Sequence, residues 1–398
     1  MSQLLDFPPH PSTHPLPSVP RRPLPAPTPT DAVLTPRAFP SAPPAFAIRA
    51  VLWLRRRLVA LADRVLPAEV AIFERSLGLA HTQLLGVAAR HGVADLLAGG
   101  PLDAGQIASR CDANADAMHR VLRALASTGV FELRADGHFA NNRLSRAMIG
   151  GRLTRIREWL QYISSQSNVA AWSDLERSVL DGKNAFERVF GMNVWEWFER
   201  HPDEREMFAQ TMMGMTVADA PAIARLYPFG EVGTLCDVGG GRGTLLSEIL
   251  IRFPRLRGLL VDSPGVLESA RVLLGQRRVL ERVTLAPGNF FEAVPPGADA
   301  YLLKNVLHDW DDERCRAILR VVRRAMRPGQ RLILCESLLE RNDASGLAPM
   351  ADAHMLIVCA DGRERSVAEL HQLMRDAGFE PARVFPYPTV SVLEARAI

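Results

Sequence analysis

Lysine is almost absent from this sequence. Of the 47 lysines and arginines in 398 residues, only Lys183 and Lys304 are lysines. Codon usage in a GC-rich genome favours arginine, so a retained lysine fits a position where a compact ammonium group is needed. The formal net charge of +3 is too small to indicate a nucleic-acid partner on its own.

Paired cysteines and long apolar runs are missing as well. The five cysteines form no CxxC pair, which argues against a disulfide framework and against a zinc site. No apolar run reaches membrane-spanning length, and the N-terminus lacks the apolar segment of a secretory signal. We therefore expect a cytoplasmic protein with no bound metal ion and no stable membrane insertion.

Composition divides the chain into four segments. Residues 1–45 hold about half of the 29 prolines. Such a stretch buries too little apolar surface to fold, so we expect a disordered or polyproline-like extension without a catalytic role. The other segments are a helical arm with a winged-helix domain (46–150), a helical region (151–230) and an α/β domain (231–398).

A helical period with an arginine-rich face covers residues 47–66 of the second segment. Such a helix either lies on a membrane surface or packs against a partner subunit. We expect the partner subunit.

Two short helices and a hairpin follow, in the order that is typical of a winged helix. Many winged helices bind DNA, but here the second helix offers only Arg120 and Arg123, and the hairpin adds only Arg134. These charges are too few for a set of phosphate contacts. We therefore expect an interaction domain that forms a homodimer and binds no nucleic acid.

Strands and helices alternate from Gly233 onward, which predicts a doubly wound, mainly parallel sheet. Ligands of such sheets bind at the carboxyl ends of the strands. Asp237, Asp262, Gly288–Asn289 and His308 all follow apolar strands, so the sequence predicts that they share one edge.

The stretch CDVGGGRGT, residues 236–244, places a cluster of glycines directly after a strand. A tight turn without a ligand is one explanation, and a close approach of a ligand to the backbone is the other. Asp262 ends the next strand, where a carboxylate can accept both ribose hydroxyls of a nucleoside. The spacing is not GxGxxG, so S-adenosylmethionine fits better than a dinucleotide.

His308 stands in LKNVLHDWDDE, just before a helix that begins near Asp311. The acidic residues there can be explained by the helix dipole alone, whereas His308 cannot. An imidazole at this edge is placed to act as a general base. Glu336 and Glu364, in LCES and DGRERS, add carboxylates that can orient the ring and stabilise its imidazolium form.

These motifs occur in order over about 130 residues, together with LLVDSP and PGNFFEAVP. They resemble the S-adenosylmethionine-dependent O-methyltransferases of the caffeate/hydroxyindole (acetylserotonin) type. The resemblance extends upstream to that family's winged-helix dimerisation domain. It implies catalytic roles for His308, Glu336 and Glu364, and cofactor contacts by Asp237, Gly239, Gly241, Asp262, Asn289, Phe290 and Lys304.

Asn289 departs from the family pattern, which has an aspartate that receives the adenine amino group. An amide oxygen can accept the same hydrogen bond without its charge, so we expect cofactor binding to be weaker by about 1 kcal/mol.

The segment VWEWFERHPDEREMFAQTMMGMT is rich in aromatic residues and methionines, which form either core or an adaptable apolar pocket. In the family that the chain resembles, this region roofs the substrate pocket, which implies a small, largely apolar, hydroxylated acceptor that is methylated on oxygen. Some relatives instead catalyse decarboxylation, hydroxylation or ring closure. The expected substrate contacts are Trp195, Phe208, Met212, Met213, Asn305 and Asp309, with Trp197 and Met215 nearby.

Overall fold

The structure of the chain is a computed structural model, which describes residues 36–359 and 362–398. Most of the proline-rich extension therefore lies outside the described residues. Within them, no helix combines the length and the apolar character that crossing a bilayer requires.

The N-terminal domain contains a long arm and the two helices and hairpin of the predicted winged helix. No residue of the arm helix is buried. The Asn114 side chain caps the second winged-helix segment by accepting a hydrogen bond from the backbone of Ala117. The elements are α1 (Ala45–Val65), α2 (Ala68–Ser76), α3 (Gly78–Arg90), α4 (Val93–Leu96), α5 (Ala104–Cys111), α6 (Ala115–Ser127), β1 (Phe131–Leu133) and β2 (Phe139–Asn141).

Six helices join this domain to the sheet. The last of them is 25 residues long and packs along the C-terminal-domain helix Thr244–Arg252, which follows the glycine cluster of residues 236–244. They are α7 (Ile156–Ile163), α8 (Gln166–Trp172), α9 (Leu175–Asp181), α10 (Ala185–Phe190), α11 (Val194–Arg200) and α12 (Pro202–Leu226).

The C-terminal domain is the predicted doubly wound α/β fold, which confirms the expected fold class. Its central strands Ala300–Lys304 and Arg331–Glu336 are apolar and largely buried because helices cover both faces of the sheet. The elements are β3 (Thr234–Val238), α13 (Thr244–Arg252), β4 (Arg257–Asp262), α14 (Pro264–Gln276), β5 (Val283–Pro287), β6 (Ala300–Lys304), α15 (Asp312–Ala325), β7 (Arg331–Glu336), α16 (Ala348–Val358), α17 (Val367–Asp376), β8 (Phe379–Phe385) and β9 (Ser391–Ala397).

The seven strands lie in the order β5–β4–β3–β6–β7–β9–β8. The first five are parallel, and the last two run antiparallel to their neighbours. The strand order reverses between β3 and β6, which is where a doubly wound sheet opens a crevice at the carboxyl ends of its strands.

Residues 37–44 depart from the prediction of a disordered extension, because they dock on the C-terminal domain. The Phe39 ring is 5% exposed and lies under the Arg277 guanidinium, 4.1 Å from Cζ. The Phe39 backbone N–H donates to Glu248 Oε2 at 2.9 Å, and Arg277 donates to the same oxygen at 2.7 Å. The segment thus donates a hydrogen bond to the buried Glu248 carboxylate. No local sequence pattern predicts this contact, because the two residues are 209 positions apart.

Two further contacts hold the same segment, which we call the strap (37–44). Arg225 on α12 donates to the Ala42 carbonyl at 2.9 Å, and the Tyr387 hydroxyl donates to the Pro43 carbonyl at 2.7 Å. The strap therefore ties the start of α1 to the sheet domain.

We expect Phe39→Ala to lower the free energy of unfolding by about 3 kcal/mol, because it removes a buried aromatic ring beside a buried ion pair. Chemical denaturation measures the loss, and hydrogen exchange should show faster exchange in the strap. Val272→Ala on α14, at a side chain that is 61% exposed, is the control and should change stability little. Equal stability of the two variants would mean that the strap does not dock.

Candidate active site

The carboxyl ends of four neighbouring parallel strands bring the predicted residues to one edge of the sheet. Asp237 is on β3, Asp262 ends β4, Lys304 ends β6 and Glu336 ends β7. The glycine turn after β3 and the turn that carries His308 after β6 lie on either side of the reversal of strand order. The fold thus places the two motifs next to each other.

The glycines of the turn are required for two different reasons. A Cβ on Gly240 would lie 2.4 Å from Asp237 Oδ2, so this glycine is needed for packing alone. Gly241 has φ +59°, and a Cβ there would meet no atom within 4 Å. Its N–H donates to Asp262 Oδ2 at 2.9 Å. Packing therefore explains Gly240, whereas the open space at Gly241 leaves room for a ligand to approach the backbone.

Asp237 is a buried carboxylate whose Oδ2 has no hydrogen-bond partner among the described residues. Burial, together with the negative charge of Asp262, raises its pKa to about 7, while Lys304 opposes the shift. An unpartnered acceptor beside an open glycine turn fits the amino and hydroxyl groups of an amino-acid nucleoside. The residues present therefore fit the predicted cofactor.

Lys304 makes a contact that the sequence did not indicate. Its Nζ lies 3.4 Å from Asp219 Oδ2 on α12, and Thr389 donates to the other oxygen of the same carboxylate at 2.9 Å. The ammonium group therefore connects the sheet edge to the helix that covers it. Direct contact of Lys304 with the cofactor stays a prediction.

Asn289 and Phe290 follow β5. Asn289 Oδ1 accepts from the Phe291 N–H at 3.0 Å, and its amide donates to Glu292 at 3.0 Å. The amide thus stabilises its own turn, and an adenine group would have to share Oδ1. A Cβ on Gly239 would lie 3.4 Å from the Phe290 ring, so this phenylalanine borders the glycine turn.

His308 lies on a short 3-10 turn, Leu307–Asp309. Its Nδ1 is 3.1 Å from Glu364 Oε1, and its Nε2 is 3.5 Å from Asp309 Oδ1. Burial alone would lower the pKa of the imidazole, but the negative charges of Asp309, Glu364 and Glu336 outweigh burial and raise the pKa to about 10. Since Glu364 engages Nδ1–H, Nε2 is the nitrogen that can exchange a proton with a substrate.

Glu336 contacts the backbone of this turn and not the ring. Its Oε1 accepts from the Val306 and Leu307 N–H groups at 3.2 and 3.1 Å. Burial raises its pKa to about 7, against the opposing effect of His308. The second oxygens of Glu336 and Glu364 are buried without a partner among the described residues.

Gly362 and Arg365 complete the site, although sequence analysis did not single them out. A Cβ on Gly362 would lie 2.3 Å from the His308 carbonyl oxygen, so only glycine fits against this turn. The buried Arg365 guanidinium donates to the carbonyls of Leu307 and Trp310. The DGRERS motif around both residues was the available signal.

Aromatic rings extend from Trp310, two residues after His308. Trp195 stacks on Trp310 with centroids 6.1 Å apart, and Phe208 lies edge-on to Trp195 at 5.9 Å. The indole N–H of Trp195 is buried without a partner among the described residues. Tyr162 continues the wall at 5.5 Å from Phe208.

His354 is a further side chain of this wall that sequence analysis missed. Burial lowers its pKa to about 4, and its Nδ1 is 3.2 Å from the Nε1–H of Trp172. The ring is therefore neutral at physiological pH, with Nδ1 as an acceptor and the proton on Nε2.

The methionines of α12 differ in their surroundings. Met213 is 4% exposed and belongs to the core between α12 and the sheet domain, which favours packing over a substrate contact for this residue. Met215 is exposed, and Met212 is half-buried. Trp197 donates its indole N–H to the buried Glu204 at 3.0 Å, so that ring has a structural contact.

Asn305 and Asp309 lie on either side of His308 at the sheet edge. Asn305 has φ +52°, and its N–H donates to the Cys335 carbonyl at 3.0 Å, so a left-handed residue turns the chain out of β6. Burial raises the pKa of Asp309, whose Oδ1 accepts from the Cys359 thiol at 3.5 Å.

Two regions of the chain match known protein domains: an O-methyltransferase domain at residues 172–380 and an O-methyltransferase dimerisation domain at 73–151. The chain is 35% identical over 320 residues to the mitomycin biosynthesis 6-O-methyltransferase of Streptomyces lavendulae, which covers 80% of this chain and 91% of that relative. It is also 35% identical over 318 residues to a phenazine O-methyltransferase of Lysobacter antibioticus, which covers 80% and 93%. The crystal structure of human N-acetylserotonin methyltransferase with SAM matches with TM-score 0.76 at 26% identity, covering 83% of this chain and 98% of that one.

We expect the His308 imidazole, followed by NMR, to titrate near pH 10 and to titrate at lower pH in Glu364→Gln, because that variant removes the carboxylate on Nδ1. Since folding raises this pKa from 6.5, the ion pair stabilises the protein fully below pH 6.5 and loses that effect as pH rises through about 10. Glu369→Gln is the control, because Glu369 pairs with Arg363. An unchanged titration in Glu364→Gln would show that Glu364 does not hold the ring.

Proposed function

We propose that this chain, which belongs to the S-adenosylmethionine-dependent O-methyltransferases that carry a dimerisation domain, methylates a hydroxyl of a small, largely apolar metabolite with His308 as general base. The family, the fold and the cofactor predicted from the sequence are confirmed by these matches. The alternatives of a divergent reaction on the same fold and of a DNA-binding regulator are not supported by them.

The observation that carries the role of His308 is its ion pair with Glu364 at the sheet edge, next to the glycine turn. Glu364 fixes the proton of the neutral ring on Nδ1, so Nε2 presents a lone pair to an acceptor hydroxyl. When His308 takes up that proton, the nearby carboxylates stabilise the imidazolium form.

S-adenosylmethionine, when bound, supplies an electrophilic methyl group and a positive sulfonium charge, which lowers the pKa of a neighbouring imidazolium. Asp262 and Asp237 would accept hydrogen bonds from its hydroxyl and amino groups, and the open face of Gly241 would let it approach the backbone. The remaining task of the chain is to place the acceptor oxygen and remove its proton.

The aromatic wall supports a flat, apolar acceptor. Trp195, Phe208 and Trp310 offer ring faces and edges near His308. The unpartnered N–H of Trp195 and the protonated Nε2 of His354 are hydrogen-bond donors. They suit a methyl-accepting substrate that carries a carbonyl or ether oxygen besides its hydroxyl. The names of the two bacterial relatives refer to mitomycin biosynthesis and to phenazine, which supports an aromatic secondary metabolite as the chemical class.

We further infer a homodimer in the cytoplasm. The match to a dimerisation domain and the exposed apolar side chains of α1, among them Trp53, Leu58 and Leu61, support the dimer. All five cysteines are free thiols, which supports a reducing compartment.

We expect His308→Gln to lower kcat about 10²–10⁴-fold and to leave the affinity for S-adenosylhomocysteine unchanged. Asp262→Ala should instead weaken cofactor binding and remove most of the calorimetric binding heat. The variant loses the predicted contact with the cofactor ribose and the hydrogen bond from the Gly241 N–H. Both variants are assayed with labelled S-adenosylmethionine and a panel of hydroxylated aromatic compounds. Normal turnover in His308→Gln would refute its role as base.

We expect Phe208→Ala to change the order of preference among acceptors at nearly unchanged cofactor affinity, because it opens the aromatic wall. Met213→Ala, at a buried core position, should lower stability by about 2–3 kcal/mol and keep the parent order of preference. Competition assays and thermal melts distinguish the two. An unaltered acceptor profile in Phe208→Ala would place the substrate elsewhere.

A further inference from the structure

We propose that Arg365 is the positioning residue that fixes the turn of His308, and that it works with Glu336 as a clamp on the turn backbone. This inference rests on the proposed function, in which the direction of the His308 ring decides how the acceptor oxygen is deprotonated.

The Arg365 side chain reaches two carbonyls on either side of His308 and Asp309. Its Nη1 donates to the Leu307 carbonyl at 2.9 Å, and its Nη2 donates to the Trp310 carbonyl at 2.7 Å. The residue is 2% exposed, so water does not compete for these bonds.

Asp312 holds the guanidinium in place. Its Oδ1 accepts from Arg365 Nε at 2.9 Å, at the start of α15. The two terminal nitrogens of a planar guanidinium can bridge two separated carbonyls while Nε binds a carboxylate, whereas all three donors of a lysine ammonium lie on one nitrogen. The geometry therefore specifies arginine at position 365.

Glu336 holds the other side of the same turn. Its Oε1 accepts from the backbone N–H groups of Val306 and Leu307, which enter the turn. A buried carboxyl group thus binds the amides at the start of the turn, and a buried guanidinium binds one carbonyl before His308 and one after Asp309.

The turn needs this outside support because its own hydrogen bonds are long. The N–H of Asp309 is 3.4 Å from the Val306 carbonyl, and that of Trp310 is 3.3 Å from the Leu307 carbonyl. A single 3-10 turn with such bonds has little stability of its own. The clamp is therefore what sets the direction of the His308 ring.

The chain also ties the clamp to the ion pair. Arg365 directly follows Glu364, whose carboxylate contacts His308 Nδ1. The close packing of Gly362 against the His308 carbonyl fixes the register of this segment. Glu364 thus orients the His308 ring through Nδ1, while Gly362 and Arg365 contact the backbone of the turn.

The test compares Arg365→Lys and Arg365→Gln with the control Arg316→Gln. Arg316 on α15 pairs with Asp376 on α17, its side chain is 33% exposed, and it shares no hydrogen-bond partner with Arg365 among the described residues. The measurements are kcat, the affinity for S-adenosylhomocysteine by calorimetry, and the pKa of His308 by NMR.

We expect both Arg365 variants to lower kcat about 10–100-fold, to keep the affinity for S-adenosylhomocysteine within about twofold, and to lower the pKa of His308 as the ring leaves Glu364. Arg316→Gln should change none of these. An unchanged kcat and His308 pKa in a folded Arg365 variant would overturn the proposal, and so would equal losses in Arg316→Gln. Loss of cofactor binding in both Arg365 variants would also contradict it, because Arg365 would then maintain the whole fold.

The NMR readout separates this inference from the proposed function, since it does not require turnover. A wild-type enzyme that methylates no hydroxyl, with a His308 pKa that still depends on Arg365, would refute the function and leave the clamp in place.

Discussion

The ion pair between His308 and Glu364 is the interaction on which the rest of the site depends. It joins the turn after β6 to the segment before α17, two parts of the chain 56 residues apart. Burial makes such a pair costly unless its partners are held in good geometry. Gly362, Arg365 and Glu336 contact the backbone around this pair and hold the turn on which the proposed general base lies.

Two groups of polar side chains lie at different positions along the same edge of the sheet. On the side of β3 and β4, carboxylates and open glycine backbone face the space where a nucleoside fits, with Asp237 left unpartnered. On the side of β6 and β7, carboxylates surround an imidazole. Lys304 at the end of β6 pairs with Asp219 on α12, so a buried charge binds this helix to the sheet edge.

Much of this arrangement followed from local sequence. Parallel strands end at one edge, so Asp237, Asp262 and His308 could be placed together from the positions of the strands alone. The strap could not be foreseen, because Phe39 and Glu248 are 209 residues apart and no local pattern connects them. Helix α12 shows a different limit: it has apolar residues on several faces, so periodicity could not tell that Met213 lies in the core. Arg365 is one of 45 arginines, so neither composition nor charge distinguishes it from the others.

A crystal structure of the enzyme with S-adenosylhomocysteine and a hydroxylated aromatic acceptor tests the proposed site most directly. We expect the nucleoside at the glycine turn, its ribose on Asp262, and the acceptor hydroxyl within about 3 Å of His308 Nε2. An acceptor whose hydroxyl lies against another base, with His308 still turned toward its carboxylates and away from the ligand, would contradict it.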